Sequence, residues 1–148
     1  MKKYEFRLQK LLDIRIDKED ESKREFQSAR KKSLKIKEKL DYLKESYDKY
    51  KDISNVDSIV QQKITHMYLK SLTYSIEDTS SELKASEKIV DEKRNELKKR
   101  QIDRKTVDIL KDKEKAIFIK EQNRIEQKQN DEFGLYGFIR NMRNGEFD

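Results

Sequence analysis

The chain has 148 residues, of which 36 are Lys or Arg and 30 are Asp or Glu, and it contains no Pro, no Cys and no Trp. Its composition of 45% charged and 33% hydrophobic residues excludes a thick globular core, because compact domains usually contain close to half apolar residues. The formal net charge of +6 leaves nucleic acid, an acidic protein surface or an anionic membrane open as partners.

The first arm, residues 4–50, is predicted to form one long helix. Two ladders recur every seven residues along it: Phe26, Ser33, Leu40 and Tyr47, and Ala29, Ile36, Leu43 and Tyr50. Such steps build the narrow apolar seam of a coiled coil. Low hydrophobicity with many charges is also typical of disordered chains, but the regular ladders and the absence of Pro favour helix.

A break is predicted in residues 51–57, KDISNVD, because Ser, Asn and Asp favour caps and turns. The predicted tip extends to residue 67, and residues 59–67 form either a short helix or the start of the second one. From Tyr68 a stricter ladder predicts a second helix to about Phe133: Leu69, Ile76, Leu83, Val90 and Leu97. We expect Gly134 and Gly137 to end that helix and residues 134–148 to be a mobile tail.

The two arms are predicted to pair antiparallel, so the numbers of facing residues should have a constant sum. A sum near 119 pairs Leu43 with Ile76 and Leu12 with Val107. A sum near 109 also matches the heptads, but it leaves Val107 and other apolar residues of the second helix without a partner. The preferred sum places polar residues at seam positions, which predicts loose packing: Thr79, Ser86, Lys93 and Arg100.

The predicted fold is therefore all-α, a long two-helix antiparallel coiled coil with a C-terminal helical overhang, forming one domain over residues 1–148. The overhang should begin after about Lys111, and it carries an apolar stripe at helical spacing: Ile117, Phe118, Ile119, Ile125 and Phe133. Isolated helices are marginally stable, so we expect this stripe to bind a partner, either another protein or a second copy of the chain.

The sequence contains no residue pattern typical of a catalytic, cofactor-binding or metal-binding site. There is one His, His66, and no glycine-rich loop to hold a phosphate. The basic clusters lie among acids and are not interleaved with stacking aromatics, so a solvated coiled-coil face is favoured over a nucleic-acid site. No apolar run approaches the roughly 20 residues that span a bilayer, which predicts no membrane insertion and a cytoplasmic location.

Two segments resemble a known family. Residues 4–15, YEFRLQKLLDIR, closely resemble the start of the FliJ family of bacterial flagellar export proteins, and residues 123–133, NRIEQKQNDEF, resemble its C-terminal signature. The resemblance implies a long helical hairpin, similar to the rotor coiled coil of F-type ATPases, that works by binding at the cytoplasmic face of the membrane. It implies three kinds of partner: the flagellar export ATPase, the cytoplasmic part of the large export-gate membrane protein, and substrate chaperones.

Binding residues can be suggested for two of these partners. Carried over by position, the gate-binding cluster falls on Leu43, Tyr50, Tyr68 and Leu72, and Tyr47 is added because it is adjacent to Ser46. Ser46 and Ser75 replace an aromatic residue and a small residue of the family pattern. For the ATPase, the resemblance gives the partner, and the preferred register and the uncovered apolar stripe place the expected contacts at the two ends: Tyr4, Phe6, Leu8, Phe118, Ile125 and Phe133.

Two alternatives remain at this stage. The helical pattern and basic charge, taken without the resemblance, predict a scaffolding or nucleic-acid-associated coiled coil. It is the equivalent stalk of a virulence secretion system if the resemblance extends to that related group.

Overall fold

A computed structural model describes residues 3–52 and 58–145. Within these residues it contains two helices, α1 (Gln9–Asp52) and α2 (Ile59–Arg143), and no strand. The helices pack against each other as an all-α hairpin, which confirms the predicted fold class. Contacts divide the chain into a terminal unit, Met1–Arg15 with Asp103–Asp148, and a loop unit, Ile16–Ile102.

Helix α1 begins five residues later than predicted, at Gln9 rather than Tyr4. The Gln9 amide donates to the Phe6 carbonyl at 3.1 Å, and the Leu12 amide donates to the Leu8 carbonyl at 3.0 Å. Phe6 and Leu12 are both buried, in one cluster with Val107. On a continuous helix these two side chains would point about 120° apart, so the irregular start allows both to reach the same core.

Helix α2 begins at Ile59, so residues 59–67 belong to it rather than to a tip. Ser58 precedes it, and its carbonyl accepts the first helical hydrogen bond from the Gln62 amide at 2.9 Å. Serine is a favoured residue at this capping position because its short polar side chain suits the exposed first amides. The predicted break at residues 51–57 is partly wrong, since Lys51 and Asp52 end α1. Residues 53–57 of that break lie outside the described part of the chain.

The expected end of α2 at Gly134 and Gly137 is wrong, because the helix continues to Arg143. The glycine that follows the end of the helix is instead Gly145, whose φ of 70° is the left-handed conformation common just after helix ends. Most of the expected tail is therefore helical. Nothing lies within 4 Å of a Cβ built on Gly134 or Gly137, so packing does not explain either glycine.

The antiparallel register near 119 is confirmed by contacts in each unit. In the terminal unit Arg15 donates to the Asp103 carbonyl at 2.6 Å, and Lys111 donates to the Gln9 side chain at 2.9 Å. In the loop unit three contacts between the helices also join residues whose numbers sum to about 119: Lys93 with Glu25, Arg94 with Phe26, and Tyr50 with Tyr68.

The seam of the loop unit is partly polar, as the sequence predicted. Its buried apolar side chains are Leu40, Leu72 and Val90. Thr79 and Ser22 are as deeply buried, with only 2% and 4% of their surfaces exposed. Lys93 spans the seam edge to the Glu25 carboxylate at 2.7 Å, and this hydrogen bond and the Glu25 charge raise the pKa of Lys93.

Ser22 creates a weak point in this seam. Its Oγ is buried and has no hydrogen-bond partner. Beside it lies a polar cavity of about 100 Å³ whose lining also includes Glu25, Glu96 and Arg100. Because a buried hydroxyl without a partner costs about 1 to 3 kcal/mol, Ser22 lowers the stability of the hairpin.

We therefore predict that Ser22→Ala raises the free energy of unfolding. Alanine removes the unpartnered hydroxyl and has a higher helix propensity, which alone contributes about 0.5 kcal/mol. Ser28→Ala is the matched control, because Ser28 is exposed on the same helix. In urea unfolding, Ser22→Ala should exceed the control by about 1 kcal/mol. An equal or smaller gain would mean that the Ser22 hydroxyl is satisfied by water.

Candidate functional site

The six residues suggested for ATPase binding all lie in the terminal unit, and we call them the end surface: Tyr4, Phe6, Leu8, Phe118, Ile125 and Phe133. The structure brings two of them into direct contact. The rings of Tyr4 and Phe118 have centroids 5.6 Å apart and planes tilted by 47°. Tyr4 thereby fastens the irregular start of the chain onto α2.

Tyr4 is held by a second interaction. Its hydroxyl donates to the Lys111 carbonyl at 3.2 Å. Desolvation first, and then the negative charges of Glu114 and Asp112, raise the pKa of the Tyr4 phenol. The phenol therefore stays protonated at neutral pH and remains a donor to that carbonyl.

Other members of the end surface differ in exposure. Phe6 is buried with Leu12 and Val107, so its side chain serves the small core of this unit. Leu8 is 39% exposed and Ile125 is also 39% exposed, whereas Phe133 is 74% exposed. Contact with a partner is therefore open to Leu8, Ile125 and Phe133 directly, and Phe6 contributes by supporting Tyr4.

The overhang starts later than predicted. Lys111 is engaged with Gln9 and Tyr4, and Phe118 is engaged with Tyr4. Beyond Phe118, α2 continues for 25 residues to Arg143. In this part of the helix Ile119 and Ile125 are 48% and 39% exposed, and Ile117, just before Phe118, is 69% exposed.

The polar side of the overhang carries a local ion pair. Arg124 donates to Glu121 through Nε at 3.0 Å and through Nη2 at 2.8 Å. This fork lowers the pKa of Glu121 and raises that of Arg124. Both groups are solvent-exposed and three residues apart, an arrangement that adds modest helix support and leaves the apolar side open.

The five residues suggested for gate binding all lie in the loop unit, and we call them the tyrosine surface: Leu43, Tyr47, Tyr50, Tyr68 and Leu72. Tyr50 and Tyr68 meet edge to face, with ring centroids 4.9 Å apart and planes at 75°. They are 38% and 43% exposed. Leu72 is buried at 6% exposure and belongs to the seam, and Leu43 is half-buried.

Tyr47 faces an open groove of about 510 Å³ on this unit. The groove is also lined by His66, Leu69, Thr73 and Tyr74, among others. His66 and Tyr74 were not among the predicted binding residues. The sequence does contain a signal for Tyr74, because an aromatic residue outside the seven-residue ladder of α2 is expected on the exposed side of the helix. At 73% exposure it lies there.

Within residues 3–52 and 58–145, no three His, Cys, Asp or Glu side chains are grouped to hold a metal ion. The same residues include no helix with a stretch long and apolar enough to cross a bilayer.

Comparison with known proteins identifies the family. No curated protein and no solved structure matches the chain significantly. The profile described as flagellar FliJ protein matches residues 3–143, which include both helices and both candidate surfaces. The chain therefore belongs to the FliJ family of flagellar proteins.

Proposed function

We propose that this chain is a non-enzymatic stalk and chaperone of flagellar type III export, acting at the cytoplasmic face of the membrane. Membership of the FliJ family gives it a role connected with flagellar export. In the proposal the end surface binds the export ATPase ring and promotes its assembly, and the tyrosine surface binds the cytoplasmic part of the export gate. Substrate chaperones are further partners. The flagellar description of the family favours this system over a virulence secretion system.

The observation that carries the ATPase part is the exposed apolar stripe of α2 beyond Phe118. Ile125 and Phe133 are eight positions apart, so their side chains point about 80° apart around the helix axis and fall within one broad apolar stripe. Their exposed fractions of 39% and 74% leave apolar surface available for a partner to cover. A single helix entering the hole of a ring of subunits can be covered from several sides at once.

The Tyr4 contacts support the same assignment. They fasten residues 3–8 against α2 at Lys111 and Phe118, so Leu8 and the overhang belong to one unit. A pre-ordered surface binds with a smaller entropy cost than one that must first fold. The start of the chain is thereby held ready for the ring.

The gate part rests on the exposed tyrosine pair. An edge-to-face pair contributes about 0.5 to 1.5 kcal/mol to local packing, yet Tyr50 and Tyr68 keep over a third of their surfaces exposed. Tyrosine is enriched at the centres of protein interfaces because its ring is rigid and its hydroxyl remains polar. The groove beside Tyr47 offers an adjoining concave surface.

We predict that ending the chain after Gln122 abolishes stimulation of the ATPase and of its oligomerisation. This shortened chain keeps Tyr4, Phe118 and Lys111, so the helical signal should fall only in proportion to the residues removed. The more local variant Ile125→Gln/Phe133→Gln should weaken ATPase binding about 30-fold, since one buried aromatic anchor can contribute about 2 kcal/mol.

Ile14→Gln/Ile89→Gln is the matched control, because both side chains are 51% exposed and neither belongs to the end surface. Its binding to the ATPase should equal that of the unaltered chain. Full stimulation by the shortened chain would remove the overhang from the mechanism.

We also predict that Tyr50→Ala/Tyr68→Ala weakens binding to the cytoplasmic part of the gate protein at least about 30-fold, because a single interface tyrosine can contribute about 2 kcal/mol. Helicity by circular dichroism should change little, since neither ring is buried. Tyr42→Ala is the control, as Tyr42 is 69% exposed and lies outside both the tyrosine surface and the groove. Loss of helicity in parallel with binding would assign the two rings to packing alone.

A further inference from the structure

The net charge of the chain is concentrated in one short part of α1. Residues 30–39 contain six basic side chains and one acidic side chain, which is a net charge of +5 out of +6 for the whole chain. The segments on either side, residues 20–29 and 40–49, each contain two basic and three acidic side chains. We call the basic side chains of the central segment the basic band: Arg30, Lys31, Lys32, Lys35, Lys37 and Lys39.

The hairpin leaves the charge of the basic band uncompensated. All six side chains are exposed. Within residues 3–52 and 58–145 none of the six forms an ion pair, whereas Lys93 and Arg94 of the facing helix each do. The facing part of α2, residues 80–94, contains four basic and four acidic side chains, so it does not neutralise the band. This part of the surface therefore attracts a negatively charged partner.

Two members of the basic band line an open groove of about 340 Å³ between α1 and α2, and these are Arg30 and Lys37. Leu34 lies between them on the same side of the helix, because residues three and four positions apart share a face, and it is 49% exposed. Val90 of α2 also lines the groove, and its side chain is buried. The groove therefore combines apolar side chains with cationic ones.

Arg94 adds a third cation, held in place on the α2 side of the groove. Its guanidinium donates to the Asp91 carboxylate at 3.0 Å, and its Cζ lies 5.8 Å from the centroid of the Phe26 ring. The ion pair offsets the charge of Asp91, which is one of two carboxylates that line the groove, and Glu87 is the other. An arginine that is ordered before binding loses less entropy when a partner docks on it.

We propose that this groove binds an acidic amphipathic helix of a partner protein. Apolar side chains of the partner cover Leu34 and Val90. Its carboxylates meet the cations on both sides of the groove, Arg30 and Lys37 on α1 and Arg94 on α2. Amphipathic helices commonly bind in this way, with their apolar face in a groove. Neither the end surface nor the tyrosine surface includes a residue of this groove, so the proposal does not depend on the proposed function.

Nucleic acid is the other polyanion that a basic surface attracts, and it fits this groove less well. Its phosphates repeat along the whole strand and would be repelled by Glu87, whereas a peptide helix can place an uncharged side chain there. Among the described residues that line the groove there is no aromatic side chain to stack on a base. An acidic amphipathic helix matches both the charge of the groove and the apolar surface of Leu34.

The test is fluorescence anisotropy of the full chain with three labelled probes: two peptides of equal length and composition, and a short DNA duplex. In the first peptide leucines occupy one helix face, glutamates flank that face and alanines fill the rest. The second peptide contains the same residues in scrambled order. We expect the first peptide to bind more tightly than the scrambled peptide or the duplex, and its binding to weaken as salt is added.

Variants of the groove should weaken binding of the first peptide. Arg30→Gln/Lys37→Gln should weaken it about tenfold, because each partly exposed ion pair contributes about threefold. Leu34→Gln should weaken it about fivefold, since the partner covers the exposed half of that side chain. Helicity by circular dichroism should not change, because all three positions are exposed.

Two controls are matched to these variants. Lys115→Gln/Lys128→Gln removes the same charge from exposed positions of the terminal unit, and Ile89→Gln alters a side chain that is 51% exposed and outside the groove. Both should bind the first peptide as the unaltered chain does. An equal loss in either control, equal binding of the scrambled peptide, tighter binding of the duplex, or no binding of the first peptide would overturn the proposal. Arg30→Gln/Lys37→Gln should still stimulate the ATPase, which separates this inference from the proposed function.

Discussion

The contact between α1 and α2 is the constraint on which the rest of the structure depends, because almost every buried side chain described lies along it. Among residues 3–52 and 58–145 the buried apolar side chains number six: Phe6, Leu12, Leu40, Leu72, Val90 and Val107. Hydrophobic stabilisation scales with the apolar area removed from water, so a seam this thin gives a modest total. Register then matters more than in a thick core, since a slip would expose most of what is buried.

Polar seam positions and exposed aromatic residues are two results of the same composition. Thr79, Ser22 and Lys93 occupy places where apolar side chains would stabilise the hairpin more. Meanwhile Tyr50, Tyr68, Ile125 and Phe133 remain partly or largely exposed. Polar side chains thus lie in the seam while large apolar side chains lie on the surface, and this distribution suits a protein that acts by binding.

Sequence periodicity predicted the helices and their pairing because the seven-residue spacing leaves few alternatives. All five ladder residues of α2 are buried or half-buried, and Thr79 is buried as its register requires. The ends of the elements were less predictable. Because α1 starts at Gln9, Phe6 and Leu12 can share one core. Nothing in the periodicity of the sequence indicates this shared core. Helix α2 also continues through Gly134 and Gly137, since a glycine permits a helix to end but does not require it to.

The candidate surfaces were predictable to a smaller degree. Family resemblance indicated Tyr50 and Tyr68, and they form a ring pair. It also indicated Leu72, and the helix register indicated Phe6, yet both of these side chains are buried. A single sequence cannot separate these cases, because one apolar residue serves equally as packing or as a contact until its neighbours are known. His66 and Tyr74 are recognised as candidate binding residues only from the structure, because they line a groove with Tyr47.

The central claim is the antiparallel register, and disulfide trapping tests it most directly. The chain has no Cys, so a pair introduced at Ala29 and Val90 has no competitor. Cysteines whose Cβ atoms lie about 4 Å apart form a disulfide without backbone movement. We predict rapid oxidation of Ala29→Cys/Val90→Cys and little oxidation of Ala29→Cys/Ser80→Cys. The reverse outcome would establish the register near 109 and contradict the assignment of both surfaces.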